Sequence, residues 1–202
     1  MTRDFRIPRL YKTLVALAVV LGPIYWLMLT EDGQRRTDLV LMAILGRPPF
    51  DAALESFTDR LTEARLREGF PALQLQCADG PNPFGDRVCA APIGSFNQYP
   101  ARAVTLYFRG GQLSAVKVVY QPAYHGRIRG WAERRAGQAP QLPAQAEPGS
   151  YPTPPVGGGV AGFPVADGIL VLKDGVLDKA DEPALLWLSR AALKSKASPA
   201  GN

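Results

Sequence analysis

The longest uncharged apolar run along the chain is TLVALAVVLGPIYWLMLT, residues 13–30. As a helix it has the minimum length needed to cross a bilayer, whose hydrocarbon core is about 30 Å thick. Leu10 and Tyr11 lengthen it if the Lys12 ammonium reaches back to the headgroups. Tyr11 at one end and Tyr25 and Trp26 toward the other are placed as an interfacial aromatic belt. Gly22-Pro23 predicts a kink of the kind membrane helices tolerate. A second apolar run, LVLMAIL at 39–45, is far too short to span. It reads as a core helix or a re-docked juxtamembrane segment, capped at Thr37 or Asp38 and ended by Gly46 and Pro48-Pro49.

Farther along, the period changes twice. Leu54, Phe57, Leu61 and Ala64 recur at steps of three and four, with Glu55, Asp59 and Glu63 opposite, which predicts a helix over 51–67 stopped by Gly69 and Pro71. Alternation then predicts strands at 73–77 and 87–96, with Pro92 marking an edge or a bulge. Residues 103–109 and 112–120 flank Gly110-Gly111 and form the clearest hairpin signal. Pro122 starts a helix to about 136, with Tyr124, Ile128 and Trp131 on its apolar stripe and Arg127, Arg134 and Arg135 on its wet face. Residues 137–159, rich in Pro, Gly, Ala and Gln, read as a linker or long loop. A second hairpin is expected over 160–165 and 169–173, with turns at Asp167-Gly168 and Asp174-Gly175. A last helix is expected over 182–194, capped by Asp181, with Pro183 in its first turn and Leu185, Leu186, Trp187, Leu188 and Leu193 buried.

These elements predict an α+β fold: a single N-terminal transmembrane helix, then a small antiparallel sheet with packed helices. The organisation expected is a cytoplasmic N-terminus (1–12), an anchor (13–30), an α+β domain (31–136), the linker or loop (137–159), a hairpin plus helix packed on the same domain (160–196) and a tail (197–202).

Composition supports a packed core, since 47% of the 202 residues are hydrophobic and 20% charged. The net charge of +5 does not point to nucleic acid. Arg3, Arg6, Arg9 and Lys12 precede the apolar run, where topology accounts for them, and no Lys/Arg run or zinc-finger signature occurs. The other flank opens with Glu31 and Asp32, and Arg35 and Arg36 come later. The charge asymmetry predicts an N-terminus in the cytoplasm and the rest of the chain outside it, in a single-pass inner-membrane arrangement with a periplasmic domain. A cleaved signal peptide would need a small-x-small site, which LMLTEDG does not offer. No Cys follows the run to carry a lipid.

Cys77 and Cys89 are the two cysteines. They have neither CxxC spacing nor enough companion ligands for structural zinc. A disulfide across a strand–loop–strand hairpin fits best and suits an oxidising compartment; two buried free thiols are the alternative. Asp79, Asn82 and Asp86 lack EF-hand spacing. No metal site and no cofactor are implied.

His125 is the sole histidine, and no GxSxG elbow or P-loop occurs. Asp167, Asp174, Asp178, Asp181 and Glu182 crowd one region, where turns and a cap account for them. No catalytic residue is expected. Arg127, Arg129, Arg134 and Arg135 are the candidates for binding an acidic partner, such as phospholipid headgroups or an acidic protein surface; a solvated face is the plainer account. The function expected is non-enzymatic: a membrane-anchored extracytoplasmic protein that binds or helps assemble envelope components. Its partners would be the bilayer, through the N-terminal helix, and other envelope proteins. An envelope enzyme with scattered site residues, or an accessory subunit of a membrane complex, are the alternatives.

Overall fold

Alternating burial along β5 (Tyr99–Arg109) and near-total burial of β6 (Gln112–Tyr120) set the centre of the fold. Val104, Leu106 and Phe108 are fully buried on β5, while Arg102 and Arg109 face solvent. The two strands are joined by Gly110-Gly111 at φ 57° and 79°, a mirror-type turn matching the right-handed twist of a hairpin. The computed structural model describes residues 8–53, 57–136, 159–165, 167–175, 177 and 182–197.

The other strands are β1 (Pro49–Phe50), β2 (Gln76–Asn82), β3 (Gly85–Pro92), β4 (Ser95–Phe96), β7 (Val160–Val165), β8 (Gly168–Lys173) and β9 (Ala184–Ser189). Among the described residues nine strands make one sheet: seven in the order β1-β4-β5-β6-β9-β8-β7, with β3 also paired to β5 and β2 paired to β3. The pairings are antiparallel except that of β1 with β4. Cross-strand rows form the core. One runs Cys89, Leu106, Val116, Trp187, Leu170, and the next Ala91, Val104, Val118, Leu185. An aromatic chain adjoins them: Phe50 lies 4.7 Å from Phe70 and 6.1 Å from Phe96, and Phe57 lies 5.6 Å from Trp187.

The helices are α1 (Arg9–Leu29), α2 (Glu31–Ile44), α3 (Glu63–Gly69), α4 (His125–Ala136) and α5 (Arg190–Ala197). At 1.5 Å per residue, the 21 residues of α1 extend about 31 Å. None of them is buried, and Pro23 lies inside. Among the described residues α1 is the one helix long and apolar enough to cross a membrane.

Several expectations are corrected. Helix 51–67 shrinks to α3, because the Thr62 side chain caps it by accepting from Arg65 N. Phe50 belongs to a strand, and Phe57 is buried without belonging to a helix. Leu54 and Glu55 lie outside the described residues. The strand expected at 73–77 starts at Gln76, since Leu73 N donates back to Phe70 O in a turn. The run 39–45 is part of a longer helix capped by Thr30 rather than by Thr37 or Asp38. The helix expected at 182–194 is instead strand β9 followed by α5. Leu185, Trp187 and Ser189 alternate inward there, between β6 and β8. Leu186 and Leu188 on the other face are only half-buried, yet apolar residues on both faces leave no gaps, so the composition of β9 resembles that of a buried helix. The proposed Asp181 cap, Asp178, most of the Pro/Gly-rich stretch (137–158) and residues 1–7 and 198–202 lie outside the described residues.

Candidate functional site

A cavity of about 430 Å³ opens where α2, the β4–β5 turn, residues 51–53 and the last turn of α4 meet. That volume is within the usual range for a small-ligand pocket. Each wall has a local cause. Thr30 ends α1 and begins α2: its N–H donates to Trp26 O, and its hydroxyl accepts from Gly33 N at 3.1 Å. Glu31 and Asp32 in the first turn of α2 suit the positive end of the helix dipole. Gly33 is needed at this corner, because a Cβ there would run into the Trp26 carbonyl. The geometry presents Arg35 to the cavity. Its guanidinium donates to Asp32 at 2.9 Å and to Gln98 O at 3.4 Å, and its Nε is buried.

The opposite wall is the tight turn Asn97-Gln98, both residues at positive φ (47° and 66°). Asn tolerates this conformation; for Gln it stores strain of order 1 kcal/mol or more. The Asn97 amide donates to Ala52 O at 3.1 Å, which fixes residues 51–53 as the third wall. Asp51 supplies the one carboxylate of the lining. Tyr99 and Trp131 give it aromatic surface, Trp131 standing edge-to-face on Phe96 with centroids 5.5 Å apart. Arg135 completes the rim from α4. Two guanidinium groups, one carboxylate, two aromatic rings and two amide-bearing residues suit binding of a group with acidic oxygens.

The four arginines singled out on α4 do not form one open patch. Arg127 pairs with Glu31 at 2.8 Å and so ties α4 to the start of α2. Arg129 pairs with Glu133 at 3.0 Å and also with Asp174. Arg134 is exposed, and Arg135 alone of the four reaches the cavity. A second tie to α2 runs from the hydroxyl of Tyr124, in the turn just before α4, to Asp38 at 2.7 Å. Hydrogen bonds from Arg35 and then Arg36 lower the Asp32 pKa against partial desolvation.

Cys77 and Cys89 face each other across β2 and β3 and are joined as a disulfide. Glu63, Arg67, Arg87 and Asp79 cover it in a run of ion pairs between 2.6 and 2.8 Å. Hydrogen bonds from Arg87 and then Arg67 lower the Glu63 pKa. Glu63 and the two sulfurs lie close enough for a metal, but disulfide sulfurs are not thiolates and do not ligate as such.

His125 is buried, 7% exposed, with Nδ1 2.7 Å from the Tyr120 hydroxyl and the two rings stacked. Burial, reinforced by Arg129, lowers its pKa. It lies apart from the cavity lining.

Sequence reasoning found Arg135 and Trp131 but read Trp131 as core and Arg35 as flanking charge. Asn97 between Phe96 and Tyr99 was a usable turn signal, since Asn is among the few residues at ease at positive φ. No protein-family model, no curated protein and no solved structure matches this chain.

Proposed function

We propose that this is a membrane-anchored, extracytoplasmic, non-enzymatic protein, which binds an acidic group of an envelope partner in the cavity between α2, the β4–β5 turn and α4. In this reading α1 crosses the inner membrane with its basic flank in the cytoplasm, and the disulfide-bearing sheet is periplasmic. The observation that carries it is the corner at Thr30. Gly33 packs on the Trp26 backbone, Gln34 donates to Met28 O at 2.7 Å, and the Arg36 guanidinium lies 5.6 Å from the Trp26 ring centre. An apolar helix that is discarded as a signal has no use for such a junction. The junction leads through Arg127–Glu31 and Tyr124–Asp38 straight to the cavity walls. The disulfide supports an oxidising location for the sheet.

The cavity is tested by placing a photo-cross-linking residue at Gln98 of the full-length protein in cells. A defined adduct is expected, weakened strongly by Arg135→Glu and by Arg35→Ala while the folded protein accumulates normally. An adduct indifferent to both substitutions would refute the assignment of the cavity.

A further inference from the structure

The far half of α2 and the residue that caps its end carry four large apolar side chains in solvent: Val40 is 59% exposed, Leu41 48%, Ile44 77% and the cap Leu45 61%. Val40 and Ile44, and Leu41 and Leu45, are four residues apart and so lie on one side of the helix. Soluble surfaces seldom gather this much apolar area without a use for it. We propose that this outer side of α2 lies in the leaflet facing the sheet, so that the protein contacts the bilayer twice, once across it and once along its surface. The inference rests on the anchoring of α1 proposed above.

Two observations choose lipid as the occupant. The first is charge. The acidic groups of α2 are all engaged: Glu31 with Arg127, Asp32 with Arg35 and Arg36, and Asp38 with the Tyr124 hydroxyl. The apolar stripe is flanked instead by Arg36 and Arg47, both exposed. Basic residues bracketing an apolar stripe complement an anionic membrane surface. The second is position. Trp26 belongs to an aromatic pair suited to the interface, and Gly33 and Arg36 pack against it. The start of α2 is thereby held at headgroup level. From Gly33 to Ile44 is about 16 Å of helix, which brings the exposed side chains within easy reach of that level.

The test uses full-length protein with its disulfide intact, reconstituted in nanodiscs of phosphatidylethanolamine and phosphatidylglycerol. An environment-sensitive fluorophore is attached through Ile44→Cys, through Leu17→Cys in α1, or through the exposed Glu68→Cys on α3. Nitroxide-labelled lipids should quench the label at 44 several-fold more than that at 68, with 44 reporting a shallower depth than 17. A label at 44 that iodide quenches as freely as at 68, while 17 stays in lipid, overturns the surface contact and leaves the anchor standing. A label at 44 shielded from both quenchers means that a second copy or another protein covers α2, and this also overturns it. Failure of lipid to quench at 17 removes the anchor and this inference together.

Discussion

His125 sits against Tyr120 with little room for solvent, and burial lowers its pKa, with Arg129 adding to the effect and backbone groups of Gly175 and Lys173 opposing it. The unfolded chain would hold an imidazole of ordinary pKa, near 6.5. Below that pH the unfolded state binds a proton that the folded state resists, so stability is full above about 6.5 and falls as pH drops toward the lower folded value. Glu63 and Asp32 have lowered pKa values as well, but their losses belong to the more acidic carboxylate range. The unfolding midpoint in denaturant should therefore drop between pH 7 and pH 5, and His125→Gln should flatten that slope. An unchanged wild-type midpoint across this interval would show that the ring is not held neutral. At this scale the sequence exposed chemistry but not its surroundings. Trp131 and Arg135 were visible, yet nothing along the chain shows that Arg35, a hundred residues away, shares their cavity.

Local pattern identified the elements whose own period was decisive. The hairpin at Gly110-Gly111 is legible because two glycines sit between alternating runs, and the helix at α4 because Pro122 opens a stripe ending near Trp131. The pattern misled where apolar residues occupy both faces of a strand whose burial still alternates. Leu185-Leu186-Trp187-Leu188 looks helical until β6 and β8 are seen on either side. Residues 51–67 carry a helical period, yet Phe50 and Phe57 serve the aromatic core, and Thr62 caps a short α3. The β2–β3 hairpin shows what a covalent link contributes. It forms the outer part of the sheet, paired inward only through β3 to β5. Cys77 and Cys89, 12 residues apart, close a loop whose chain-entropy value is about 3 kcal/mol. Replacing both by Ala should lower unfolding free energy by about that amount in denaturant titrations, with the ion pairs of Glu63 keeping the hairpin in place. A loss well under 1 kcal/mol would mean that those pairs and the β3–β5 ladder suffice alone.

Over the whole molecule, α1 stands apart from the sheet in composition and exposure, while α2 is tied to Tyr124, just before α4, and to Arg127 within it. The sequence showed both a long apolar segment and a cysteine-bearing sheet, but not that a second helix lies between them, joined to the first by the single residue Thr30. In the topology proposed here, alkaline phosphatase fused at the C-terminus should be active and a fluorescent protein that matures only in the cytosol should be dark. The opposite pair of results would place the sheet in the cytosol and leave the disulfide without an oxidising compartment.

The double duty of Thr30, closing one helix and opening the next, carries a mechanical consequence. A domain on a slack tether explores a hemisphere around its attachment point; one on this elbow goes only where its shaft turns. In the anchored topology proposed here, a tilt or rotation of α1 would be passed to α2 and so to the cavity wall that carries Arg35. The single peptide linkage between residues 30 and 31 would then act as a drive joint, and lengthening it by a few glycines would uncouple the two ends without changing either.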